Sequence, residues 1–136
     1  MKDSVSFPYV HARAGVDTSL MPILPVELSL GSTVLQVGAL LDTGAAVNVL
    51  PYPLGVQLGA NWDEQRVALQ LTGSLGHWPA KALLLTASLG CLGSVAMAFA
   101  WTKAESAPLL LGQVNFFSSF DVCFFRAERR FELRRR

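Results

Sequence analysis

A chain of 136 residues with 51% hydrophobic and only 15% charged residues is long enough to bury a core and too apolar to stay disordered. Its net charge of +1 points to no charged partner. Its two cysteines, Cys91 and Cys123, supply neither a disulfide framework nor, without a second pair, a zinc site, so no metal or other cofactor is expected.

Lys2 is followed by no apolar signal core, so a cytoplasmic location is expected. Val5, Phe7 and Tyr9 alternate with Ser6 and Pro8, the pattern of an edge strand, where proline is tolerated. Ala14-Gly15 is a break. After Pro22 and Pro25, Val26, Leu28 and Leu30 alternate with Glu27 and Ser29. Gly31-Ser32 makes a turn, and residues 33–41 return as a second strand. That hairpin runs straight into Asp42. Residues 47–50 are apolar again until Pro51 and Pro53, residues 53–58 suit one or two helical turns, and Gly59 stops them.

Polar residues fill 61–66, and 67–71 read as a strand. Thr72-Gly73-Ser74-Leu75-Gly76 is a glycine-bearing tip, and the partner strand runs over 80–87. Residues 82–101 hold no charge for twenty positions, the length of a membrane-spanning helix. Gly90 and Gly93 interrupt them, so two strands, 83–89 and 94–101, joined by a short turn are expected, with a spanning helix as the alternative. Val114, Phe117 and Phe120 recur at helical spacing, and 122–126 with 130–133 form a last hairpin turning at Ala127-Glu128-Arg129. Six of the eleven Lys and Arg residues fall at or after Arg126; a solvated strand and tail explain them without nucleic acid. The chain reads as mostly β with one or two short helices. No repeat or low-complexity linker divides it, so 1–136 is expected to form a single domain.

The chemistry concentrates at Asp42, which closes the apolar run Ala39-Leu40-Leu41 and opens the loop Thr43-Gly44-Ala45-Ala46. An acid at the mouth of a core strand is a candidate functional group. It is also what an ordinary turn uses, with the carboxylate bonded to the backbone two residues on. Other chemistries lack their parts. No Gly-x-Ser-x-Gly elbow or phosphate loop occurs, His11 and His77 are isolated, and Cys91 reads as a buried or turn thiol with no base beside it.

Leu40-Leu41-Asp42-Thr43-Gly44-Ala45 resembles the active-site signature of aspartic proteases, in the form typical of the retropepsin-like branch. Gly73-Ser74-Leu75-Gly76 resembles that family's flap tip, and Leu110-Leu111-Gly112 its later apolar-apolar-glycine segment before a short helix. The resemblance spans about residues 20–134. It implies a closed β-barrel-like acid-protease fold with a flap hairpin. It implies Asp42 as the catalytic group, and Thr43, Gly44 and Ala45 as the loop supporting it. Gly73, Ser74, Leu75, Gly76, Pro108 and Leu110 would meet substrate. Viral members carry an acid and an arginine where this chain has Ala46 and Gln113, so both charges of that ion pair are absent together.

Hydrolysis of this kind needs two carboxylates sharing a proton. Asp3, Asp17, Asp63 and Asp121 lack the glycine loop, so the resemblance implies a homodimer with one Asp42 per chain, cleaving peptides or proteins between apolar residues. Ala45, lacking a hydroxyl to donate, implies a mildly rather than strongly acidic optimum. The alternatives are a dimeric peptide- or protein-binding module of the same fold that does not cut, and a membrane-tethered protease.

Overall fold

The structure, a computed structural model, describes residues 1–15 and 17–136, with the backbone alone for Asp17. Among the described residues twelve strands follow in chain order. They are β1 (Val5–Pro8), β2 (Val10–His11), β3 (Leu20–Met21), β4 (Ile23–Leu30), β5 (Thr33–Leu41) and β6 (Asn48–Pro51), then β7 (Ala68–Leu69), β8 (Ala80–Ser88), β9 (Ser94–Thr102), β10 (Leu110–Leu111), β11 (Phe120–Phe125) and β12 (Arg130–Arg135). Two short helices, α1 (Tyr52–Gln57) and α2 (Phe116–Ser119), follow β6 and precede β11.

The β4–β5 pair forms as its alternation dictates, with Leu30 opposite Thr33 across a two-residue turn. Gly31 takes φ +59° there, a conformation open to glycine at little steric cost. Leu24, Val26 and Leu28 point inward and are essentially inaccessible. The sheet order β4-β5-β10-β6-β9-β8 returns to β4 through Glu27–Ser29 against Thr86–Ser88, closing a six-stranded barrel, while β7 hangs on the free end of β8. Leu83, Leu85, Met97, Phe99 and Trp101 fill the interior from β8 and β9. Burying each such side chain is worth about 1.5–3 kcal/mol.

Outside the barrel, β1, β12 and β11 form a three-stranded sheet whose Phe7 and Phe131 stack at 5.5 Å. Arg135 ties this sheet to the barrel by donating to the carbonyls of Leu92 and Ser94. α1 packs its Gly55 against the Trp101 indole, so closely that a Cβ there would fall 2.3 Å from the ring.

The uncharged run 82–101 is the β8–β9 hairpin, paired from Ala80–Thr102 to Ser88–Ser94. Glycines at φ +57° and +85°, Gly90 and Gly93, turn it, and Cys91 sits exposed in that turn. The spanning-helix alternative is therefore set aside. Among the described residues no helix is long and apolar enough to cross a membrane.

Several elements differ in extent from their sequence pattern. The strand expected over 67–71 shrinks to Ala68–Leu69 because Gln70 turns away from the ladder, its amide donating to Leu71 O and Gly76 O. Residues 73–77 then coil into a turn of 3-10 helix. The helical spacing from Val114 yields only Phe116–Ser119. Val114 is taken up by a bridge to Val47, and Asn115 at φ +77° breaks the path before the helix begins. The last hairpin starts earlier, at Phe120.

Candidate active site

Two strands far apart in sequence create the site. β10 lies between β5 and β6, parallel to β5 with Leu110 beside Leu40, and antiparallel to β6 with Leu110 opposite Val49. The chain leaving β5 must therefore loop over the end of β10 to reach β6, and Asp42 begins that loop. Its backbone N–H donates to Leu111 O at 3.0 Å. Its Oδ1 accepts from Gly44 N at 2.9 Å, and Ala45 N donates to Asp42 O at 3.1 Å.

The loop's far arm is fastened to the segment after β10. Gln113 N donates to Ala45 O and Val114 N to Ala46 O, both at 2.9 Å. The Gln113 side-chain amide donates to Thr43 O at 2.6 Å. Gly112 is required by close approach rather than by an unusual φ. A Cβ there would lie 2.6 Å from Val47 O and 2.7 Å from Ala45 O, both backbone atoms.

Asn48 completes the frame. It is fully buried, accepts from Gly112 N at 2.8 Å and donates to Ala98 O at 3.2 Å. One amide thus joins β6, β9 and the turn after β10.

Asp42 is half-buried and lines a cleft of about 240 Å³ together with Gly44 to Val47, Val49, Gln70 to Thr72, Leu75 and Leu110. Beneath it Val49, Leu71, Ala80, Ala100 and Leu110 form a small apolar cluster, against which Leu40, Ala45, Val47, Leu69 and Leu75 pack. Among the described residues no basic side chain and no second carboxylate line the cleft. Among the described residues no three His, Cys, Asp or Glu side chains gather as metal ligands would.

The structure brings together Asp42, Gly44, Ala45, Leu75 and Leu110. Thr43 is exposed at the loop tip, as are Gly73 and Ser74 at the tip of the 70–77 turn. Gly76 faces a neighbouring groove with His77 and Trp78. Pro108 lies apart from the Asp42 cleft, in a concavity with Met21, Ile23 and Leu40. A larger hollow of about 570 Å³ between the terminal sheet and the barrel holds one carboxylate, Glu27, which accepts from Gln36. The Cys91 thiol and Ser88 line the same hollow, with no histidine, lysine or arginine beside them among the described residues.

Two residues gain roles that sequence reasoning did not assign. Asn48 was legible in principle, since an amide inside the apolar run Val47 to Leu50 must find partners if buried. Gln113 marked a lost charge in the family pattern, but its bond to Thr43 is fixed only by the fold.

The chain's fold is similar to that of a retropepsin-like aspartic protease from Rickettsia conorii, with TM-score 0.63 and 12% identity over 96% of this chain and 91% of that one. No family model and no curated protein sequence matches the chain. The fold is retropepsin-like: mostly β, a closed barrel with two short helices.

Proposed function

We propose that this chain is one subunit of an aspartic endopeptidase whose active site is completed by a second copy. The observation that carries the reading is Asp42 itself. It sits on a fastened loop at the mouth of an apolar cleft, in a retropepsin-like fold, with Oδ1 held by Gly44 N–H. One carboxylate does not suffice for the chemistry, and among the described residues the cleft contains no other. The exposed tip Thr43-Gly44 leaves room for the matching loop of a symmetry mate.

In the paired site one carboxylate takes a proton from water while the other, protonated, donates to the peptide carbonyl oxygen. The water oxygen bonds to the carbonyl carbon, giving a tetrahedral intermediate. Proton transfer to the nitrogen then lets the C–N bond break, releasing a carboxylic acid and an amine. Residues 70–77 act as a flap over the extended peptide, with Leu75 closing against Leu71 and Leu110. Among the described residues the cleft walls carry no charge besides Asp42, so burying a charged substrate side chain costs several kcal/mol. Cleavage between apolar residues follows. In this reading 1–136 is one domain working in the cytoplasm, without a metal or other cofactor.

The bond from Gly44 N to Asp42 Oδ1 also fits a plain turn, which favours as second reading a dimer that grips peptides without cutting. Incubating the purified chain and Asp42→Asn with a peptide library separates the two. Cuts between apolar residues that vanish in Asp42→Asn, with unchanged melting, support the protease. Peptide retention without cleavage supports the binding module, and equal cleavage by both proteins removes Asp42 from the chemistry.

A further inference from the structure

We propose that Gln113 is a positioning residue for Asp42, acting through the single peptide unit between Thr43 and Gly44. The inference rests on the reading of Asp42 as the catalytic group. Gln113 Nε2 donates to the Thr43 carbonyl at 2.6 Å, and Gly44 N donates to Asp42 Oδ1 at 2.9 Å. That carbonyl and that N–H belong to one peptide plane. In a trans peptide they point in opposite directions and turn together, and among the described residues there is no cis peptide bond. Fixing the carbonyl toward Gln113 therefore fixes the N–H toward Asp42. The two bonds form a chain, amide to carbonyl and N–H to carboxylate, in which each polarises the other.

The peptide needs this hold. Thr43 and Gly44 are exposed, and glycine offers little resistance to rotation of the plane. The other bonds at the tip, from Gly44 N and Ala45 N to Asp42, close the loop on itself. The remaining attachments to the barrel begin at either side: Asp42 N to Leu111 O before the tip, then Gln113 N to Ala45 O and Val114 N to Ala46 O after it. Among the described residues Gln113 alone reaches the tip with a hydrogen bond from outside the loop. Because its own backbone N–H is bonded to Ala45 O, its side chain starts from a fixed point. The donor is unambiguous, since a carbonyl oxygen only accepts.

Without the Gln113 donor the plane is free to turn, and a turned plane aims the Thr43 carbonyl oxygen, not the Gly44 N–H, toward the carboxylate. Turnover then suffers more than binding, because the apolar cleft that holds the peptide is untouched.

The test uses Gln113→Met, which keeps length and loses the donor, and Gln113→Lys, which keeps a donor on a flexible stem. The Gly44 amide is followed by NMR in each, and peptide cleavage is measured alongside. For Gln113→Met the Gly44 amide proton is expected to shift upfield and exchange about tenfold faster. kcat should fall about tenfold while KM stays within about twofold and the melting temperature holds. Gln113→Lys should return the amide and kcat toward wild type. An unchanged Gly44 amide in Gln113→Met overturns the proposal, as does a loss of kcat that only follows a loss of folded protein. The amide readout needs no substrate, so if the wild type cleaves nothing the protease reading fails while the Gln113 link is still decided.

Discussion

Replacing Asn48 tests whether one buried amide holds the frame beneath Asp42. Asn48→Ala strips the acceptor from Gly112 N–H, a buried group that bonds at 2.8 Å, and the donor from Ala98 O at 3.2 Å. An orphaned buried donor costs about 1–3 kcal/mol, and with the second bond and the small void the total is about 2–4 kcal/mol. For a chain of this size that lowers Tm by roughly 6–16 °C. Asn48→Leu fills the void yet leaves Gly112 N–H unpaired, so it should recover only part of the loss. Asn48→Asp keeps an acceptor for Gly112 but turns the donor facing Ala98 O into a second acceptor. Its carboxylate is buried without a countercharge, so the protonated form is favoured and the folded-state pKa raised. A group raised in the folded state stabilises below its unfolded pKa and loses that as pH rises through the folded one. Asn48→Asp should thus be weakest near neutrality and approach wild type in acid. Thermal and urea unfolding followed by circular dichroism at several pH values measures all three. Alanine and leucine variants within about 0.5 kcal/mol of wild type, or an aspartate variant indifferent to pH, would refute the reasoning.

Gly112→Ala drives a methyl group into two backbone carbonyls at 2.6 and 2.7 Å. Neither is the end of a flexible side chain, so the loop must shift, at about 1–3 kcal/mol, and cleavage should slow far more than Tm alone accounts for; retained activity would show that the loop tolerates displacement. Arg136, then Arg134, hold the Asp121 carboxyl below the usual carboxylate range, outweighing the burial that raises it. A depressed folded pKa stabilises above the unfolded value, about 3.9, and this is lost as pH falls through the folded value. The melting gap between wild type and Asp121→Asn should therefore close in strong acid, and a gap constant from pH 7 to 2 would contradict the pairing.

The strands were legible where burial imposes period two, as at Val26, Leu28 and Leu30, and where glycine marks a turn, as at Gly31, Gly90 and Gly93. The Asp42 loop was legible as a unit because an acid and a glycine interrupt two core runs. What escaped the sequence was set by pairing at long range. Nothing local says that β10 slides between β5 and β6, and that insertion gives Gly112, Gln113 and Asn48 their partners. Val114 carried a helical spacing, but its bridge to Val47 overrode it. Pro108 and Leu110 are two residues apart, but Pro108 precedes the strand that carries Leu110, and the two line different concavities.

The shared site is tested most directly by mixing subunits. Wild-type chain is held at fixed concentration, Asp42→Asn chain is added in rising proportion under conditions where subunits exchange, and cleavage of one apolar peptide is followed. If each site needs an Asp42 from both copies, activity per wild-type chain falls in step with the wild-type fraction as mixed pairs form. Activity per wild-type chain that stays constant across the titration would contradict a site built from two copies.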